Sequence, residues 1–273
     1  MGPWAAAEVA PEVDRLVLAV NNAVDQARLA EAAGDHVLDW MLLQGVGDFL
    51  VAGVLTEEIA TLRSRYRPRD VVLSRLRELE QHELVERRGD ALVANDELRP
   101  LIETMMDARA DAAATMWRGH EDDVDRASQK AQELGALASD DHLVATVHRT
   151  LPAPENPYLR LHSRLVTLRY LRQHDHAEAW LAHGLTASEI VVMTGLWNGE
   201  DVASGEDLAQ LVTRGLASHD PLALTDAGQS MREEIEADTN ERSQRIFSAL
   251  GEDETTEFLA VLRRLPGQRS VVG

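Results

Sequence analysis

The chain has 273 residues, 44 % of them hydrophobic and 27 % charged, with a net charge of −20 and no cysteine. This is a globular composition, and it excludes disulfides, thiolate metal sites and cysteine nucleophiles. No apolar run approaches the roughly 18 residues of a bilayer span, and MGPWAAAEVAPEVDR lacks the basic-then-apolar order of a signal peptide, so a soluble, cytoplasmic protein with no membrane partner is expected. Taken whole, the acidity opposes nucleic-acid binding, which depends on neutralising phosphate.

In chain order, helical periodicity predicts helices over Ala6–Ala33 and His36–Leu50. A third starts at Thr56, whose hydroxyl can cap it, and runs to Tyr66; Arg67-Pro68 breaks it. A fourth covers Pro68–His82, with Val71, Val72, Leu76 and Leu79 along one face. LVERRGDALVAND (84–96) reads as two short strands around a tight turn at Gly89-Asp90. Long helices follow over Glu97–Gly119 and on to Ala138. Helix, helix, turn, helix, hairpin, long helix is the order of a winged helix.

The proline-rich LPAPENPY ends helices and stiffens the chain, so residues 151–157 form a linker between halves at 1–150 and 158–273. The second half opens with a helix over Tyr158–His183. Thr186 and Glu189 form a capping-box pattern for the next, which stops at Asn198-Gly199. A helix over Ser204–Arg214, a short hairpin in ASHDPLALT, a long acidic helix capped by Thr225 and a last helix ending at Pro266-Gly267 complete it. Leu76, Leu79, Leu84 and Leu92 recur 132 positions later as Leu208, Leu211, Leu216 and Leu224. Leu38, Met41 and Gly47 match Ile190, Met193 and Gly199 at 152. The changed offset implies that the second copy lacks about 20 residues, the stretch holding the second helix of the helix–turn–helix head and its turn.

GLTASEIVVMTGLWNG (184–199), GLASHDPLALTDAGQSMREEIEADT (215–239) and LGEDETTEFLAVLRRL (250–265) resemble the MarR family of winged-helix regulators. The second half, with TLRYLRQHDHAEAWLAHGLT (167–186), also resembles a group of actinobacterial proteins with tandem MarR-like halves. The resemblance implies a mainly α fold with small β-wings: a tandem winged helix–turn–helix arranged as a fused MarR-like pseudo-dimer. It also implies transcription regulation, double-stranded DNA and a small molecule as partners, and a homodimer.

The sharpest local feature is RSRYRPRDVVLSRLR (63–77), six arginines and one aspartate in a chain of −20. Arginine reads guanine edges and clamps phosphate. Arg63, Arg65, Arg67, Arg69, Ser74, Arg75 and Arg77, with Arg87 and Arg88 in the wing, are therefore candidate DNA contacts. The bland reading is a solvated face on which these arginines pair with Glu78, Glu80 and Glu83. A second feature is the helix RLHSRLVTLRYLRQHDHAEAW (160–180), where His176, Trp180 and His183 share one face. If the halves pack as a pseudo-dimer, Arg169, Arg172, His176 and Trp180, with Trp40, line a crevice suited to an anionic or aromatic small molecule. The bland alternative there is interface histidine and core tryptophan.

His174 and His176 point about 200° apart on a helix, so with Asp175 and Glu178 they do not converge on a metal. No Walker, GxSxG or dinucleotide fingerprint occurs, so no catalytic residue or cofactor is assigned, and the sequence leans away from an enzyme while leaving the question open. Two functions remain open. One is a ligand-responsive transcriptional regulator with one good reading head. The other is a small-molecule-binding protein or enzyme that has kept the fold and lost DNA. A lesser third is a protein-interaction module using the acidic surface.

Overall fold

The computed structural model describes residues 4–25, 28–29 and 40–267. Among the described residues the protein is mainly helical, with two small antiparallel sheets. The first half comprises α1 (Trp4–Asn22), α2 (Trp40–Ala52), β1 (Leu55–Thr56), α3 (Glu57–Arg63), α4 (Arg69–Gln81), β2 (Val85–Arg88) and β3 (Ala91–Ala94). It continues with α5 (Leu98–Trp117), α6 (Glu121–Gly135) and α7 (Leu143–His148). Then follow α8 (Pro157–Ala182), α9 (Ala187–Trp197), α10 (Glu206–Thr213), β4 (Ala217–His219), β5 (Leu222–Leu224), α11 (Asp226–Phe247) and α12 (Glu252–Arg264). α1 stops at Asn22, short of the expected Ala33; the expected start of the second helix at His36 lies outside the described residues.

Local chemistry sets most boundaries. Thr56 Oγ1 accepts from Ile59 N at 3.1 Å to start α3. Asn156 Oδ1 accepts from Tyr158 N and Leu159 N, with Pro157 opening α8, where its missing N–H costs nothing. Thr186 and Glu189 close a reciprocal capping box on α9. Two elements escaped the periodicity: β1, only two residues long, and α7 with the 3₁₀ turn Asp140–His142 before it. β1 pairs with β3 through Leu55 and Leu92, so the first hairpin belongs to a three-stranded sheet ordered β1-β3-β2.

The larger core gathers around α8, whose Leu161, Leu165, Leu168 and Leu171 are fully buried against α1, α5 and α6. The C-terminal helices return to it. Phe247, Phe258 and Leu262 join this core, Trp117 Nε1 donates to Pro266 O at 3.0 Å, and Arg15 Nη2 donates to Leu262 O at 2.8 Å. A smaller core joins the end of α8 to α9, α10 and the second hairpin through Trp180, Met193, Leu211 and Leu224.

The repeated leucines fall on equivalent elements, with one correction to their alignment. Leu84 N donates to Leu79 O and Leu216 N to Leu211 O, so α4 and α10 end alike. The second hairpin is shorter: Val85 pairs with Ala94, whereas Ala217 pairs with Leu224. Leu224 therefore stands where Ala94 does, not where Leu92 does. The upstream match also shifts. Gly47 is buried inside α2, with Ile102 against it, whereas Gly199 follows α9 at φ +70°. The true counterpart of Gly199 is Gly53, at φ +71°. Each helix closes there with the same backbone bond across five residues, Val54 N to Phe49 O and Glu200 N to Gly195 O. Gly53 and Leu76 are 23 positions apart and Gly199 and Leu208 nine, so the second unit lacks 14 residues rather than about 20. β1 and α3 fall in that gap. No helix lies between α9 and α10.

Candidate functional site

α3, a turn at Ser64–Pro68 and α4 form a helix–turn–helix, followed directly by the β2–β3 hairpin. α4 is anchored by Val72, Leu73, Leu76 and Leu79. Its other side carries Arg69, Val71, Ser74, Arg75 and Arg77 into solvent, and Val71 is thus exposed rather than part of the buried stripe.

The nine candidate DNA contacts separate into four groups. Arg63 and Arg65 turn into the body. Arg63 Nε donates to Tyr170 Oη at 2.8 Å and its guanidinium lies 4.8 Å from that ring centre. Arg65 donates to Leu62 O and Gln173 O, and burial lowers its pKa. Arg75, Arg87 and Arg88 face solvent but hold carboxylates: Arg75 pairs with Glu78 at 2.6 Å, Arg87 with Glu80 and Glu57, and Arg88 with Glu86. Arg69 and Arg77 are exposed and form no ion pair among the described residues, with Ser74 exposed between them. Arg67 is half-buried in the turn. From Arg69 to Arg88 five arginines face five carboxylates, so the segment is electrically balanced and its unpaired cations are concentrated on α4.

α10 differs on the corresponding side. It presents Glu206, Ala209, Gln210 and Thr213, and the arginine after it, Arg214, bonds Gly184 O and Glu189. A phosphate there would meet carboxylate and amide rather than guanidinium.

The expected ligand residues are spread differently from expectation. Arg169, Arg172 and His176 line a broad open crevice of about 1500 Å³ bounded by α1, α8, α9 and α11. Its cations are already engaged: Arg169 with Asp14 at 2.9 Å, Arg172 with Glu236 at 2.7 Å and Asn240 at 3.1 Å, and Arg232 with Glu236 at 2.6 Å. Burial raises the pKa of Asp14 against the pull of Arg169. For Glu236 burial also works upward, but Arg232 and Arg172 together hold it below its usual value. Burial lowers His176 to about 4, so it is neutral at pH 7, with Nδ1 3.0 Å from Thr239 Oγ1. Trp180 is buried in the smaller core and does not line the crevice; the side chain of Trp40 lies outside those described. The face shared by His176, Trp180 and His183 packs towards α11, where His183 Nε2 lies 3.1 Å from Asp238. Trp197 is 41 % exposed and lines the crevice, as does Tyr66 from the first half.

Ser139, His142 and Asp175 have the residue types of a nucleophile, base and acid, and Ser139 Oγ lies 2.9 Å from His142 Nδ1. Their contacts have another cause. Ser139 and His142 cap the 3₁₀ turn, His142 Nε2 is 3.5 Å from Asp175, and Asp175 accepts from Ser243 Oγ at 2.7 Å to tie α8 to α11. His142 is 2 % exposed, so no substrate reaches it. Among the described residues no helix is long and apolar enough to cross a membrane.

Neither a curated protein nor a solved structure matches the chain. Residues 71–269, from inside α4 through α12, match a helix-turn-helix family. The match includes the anchored face of α4, both hairpins and the helices that return to the core, and the chain belongs to this helix-turn-helix family.

Proposed function

We propose that the protein is a ligand-responsive DNA-binding regulator that meets duplex DNA with its first helix–turn–helix, as a winged helix does. The observation that carries this reading is the outward face of α4, where Arg69, Ser74 and Arg77 stand exposed and neither arginine is held in an ion pair among the described residues. An α-helix of this kind fits the major groove, and arginine can bind guanine edges or phosphate there. Arg87 and Arg88 on the hairpin would contact the backbone by exchanging their carboxylate partners for phosphate. Arg67, in the turn two residues before Arg69, joins the same surface.

The likeness to MarR proteins and the repeated helix–hairpin support a fused pair of halves, 1–150 and 158–273, of which only the first reads a groove. One head gives little affinity against a net charge of −20, so a homodimer presenting two α4 helices to successive grooves is part of the reading. Beside Arg169, Arg172 and His176, Trp197 and Tyr66 give the crevice an aromatic wall, which makes it the place for an aromatic effector.

Fluorescence anisotropy at low salt, with a duplex from the gene's own upstream region, tests the reading. Wild type should bind, and Arg69→Glu with Arg77→Glu should weaken binding at least tenfold. No binding by wild type, or binding indifferent to the reversal, overturns it. The carboxylates that hold Arg75, Arg87 and Arg88 favour the second reading, a ligand-binding protein on this fold that does not engage DNA. Binding of a small molecule with no binding of DNA would establish that one.

A further inference from the structure

A small cleft, of about 110 Å³, lies where the end of α6 and the segment from His148 to Pro154 meet the first turns of α8. It shares no residue with the crevice, and no residue of α3, α4 or either hairpin lines it. Arg149, just past α7, and Arg160 and Arg164, on α8, converge on it, with Ser163, Thr167 and Gln132 between them. Among the described residues no aspartate or glutamate lines it.

The absence of a counter-charge sets this cleft apart in a chain of −20. In the crevice Arg169, Arg172 and Arg232 all hold carboxylates. The three arginines here hold none among the described residues, and each commits only Nη1, to neutral oxygens. Arg164 donates to Ser128 Oγ at 2.7 Å, and Arg160 to Pro154 O at 3.3 Å and Glu155 O at 3.4 Å. Arg149 donates to the carbonyls of Gly135 and Ala136 at the end of α6. Nε and Nη2 of all three, and the Ser163 hydroxyl, make no hydrogen bond among the described residues.

Burial lowers the pKa of Arg164, and the charge of Arg160 beside it lowers it further, yet guanidinium stays protonated at pH 7. Arg160 and Arg164 also stand in the first two turns of α8, where the helix dipole disfavours cations and favours an anion. Gathered like charges repel, and a bound anion relieves the repulsion. His148 in the wall is held at about 4 by burial, so it is neutral at pH 7 and the positive charge belongs to the arginines. A water occupies about 30 Å³ of the liquid, so the cleft has room for about three or four. That suits a tetrahedral oxyanion and is too small for an aromatic acid. Guanidinium forks pair with phosphate oxygens two at a time, which suits a dianion.

We infer that this cleft binds a phosphate group, either the free ion or the terminal monoester of a small metabolite whose body stays at the mouth. Arg149, Arg160 and Arg164 hold its oxygens and Ser163 donates its hydroxyl. Because Arg160 already grips the carbonyls of Pro154 and Glu155, a phosphate seated there ties the proline-rich segment to α6 and α8.

Calorimetric titration of the full chain without DNA, in Tris buffer at constant ionic strength, tests this independently of the DNA reading. The probes are inorganic phosphate, glycerol 1-phosphate as a monoester, and dimethyl phosphate, a diester with a single charge. Inorganic phosphate should bind at one site per chain. Tighter binding of the monoester would assign the site to a metabolite, and weaker binding to the free ion. Dimethyl phosphate should bind at least about tenfold more weakly, as should phosphate to Arg160→Gln or Arg164→Gln, about the worth of one charged hydrogen bond. Arg242→Gln, an equal loss of charge at an exposed position on α11, should bind as wild type does. Ser163→Asp, which places a carboxylate in the cleft, should abolish binding while the chain retains a cooperative melt. Absence of binding by wild type at millimolar phosphate, equal binding of the diester, equal losses in Arg242→Gln and Arg164→Gln, or binding unchanged in Ser163→Asp would each overturn the proposal.

Discussion

The two helix–hairpin units share a frame and diverge at its edges. In both, a helix ends in the same backbone bond, a two-residue turn joins two strands, and a polar side chain caps the helix that follows: Asn95 for α5 and Thr225 for α11. Three residues past each cap the units part. The first has Leu98, fully buried; the second has Gly228, where a Cβ would collide with the Leu216 carbonyl oxygen. The first unit also has β1 and α3 in front of its outer helix and arginines upon it. The second has an eight-residue loop and an outer face of Glu206, Ala209, Gln210 and Thr213, without arginine. One scaffold is therefore adapted once to present a helix and once to pack tightly on its neighbour.

The largest expected effect is at that divergence. Gly228→Ala should cost about 4 kcal/mol or more, because it meets backbone that cannot rotate away, whereas Leu98→Ala should cost about 3 kcal/mol by opening a cavity. Urea unfolding of both variants checks the order. A mild Gly228→Ala would mean the second unit is packed no more tightly than the first.

Acid should act next. His148 and His162 are neutral in the folded protein, with values near 4 and 3, and titrate near 6.5 when unfolded. Below pH 6.5 the unfolded chain binds more protons, so stability present above that pH is lost as pH falls. Each histidine contributes about 1.4 kcal/mol per pH unit until its folded value is reached. Both are buried, so His162→Leu should flatten the stability profile between pH 6 and about 4. Denaturant midpoints across that range provide the measurement, and an unchanged slope would contradict the assignment.

Smaller differences follow. Thr56→Ala and Thr186→Ala should each cost about 1 kcal/mol, since each removes one helix cap of similar geometry. Both hydroxyls accept a helix N–H at 3.1 Å, so the two losses should agree although the helices they cap are not counterparts. Arg87→Ala should change stability by less than about 1 kcal/mol, because its ion pairs to Glu80 and Glu57 are exposed and screened.

What was legible in the chain was local. Thr56, Asn198-Gly199, Thr225 and Gly89-Asp90 announce caps and turns by chemistry within a few residues, and the elements begin or end beside them. The order helix–turn–helix–hairpin could be read for the same reason. The return of α12 to the first core depends on contacts such as Trp117 with Pro266, 149 positions apart, which no periodicity records. The arginine cluster was legible as charge but not as direction. Arg63 and Arg65 turn inward because Tyr170 and Gln173 on α8 receive them, and α8 is distant in sequence. The 110 Å³ cleft was invisible because its walls come from several elements, each supplying only a few residues.

The central claim, that the first unit reads DNA and the second does not, is tested most directly by the salt dependence of DNA binding. Kd is measured by anisotropy at several salt concentrations for wild type, Arg69→Ala, Arg77→Ala and a variant of α10, Gln210→Glu with Thr213→Glu. The account predicts that each arginine replacement weakens binding and lowers the slope of log Kd against log salt by about one for each phosphate no longer neutralised, while the α10 variant matches wild type. Loss of binding in the α10 variant, with the arginine replacements unchanged, would contradict it.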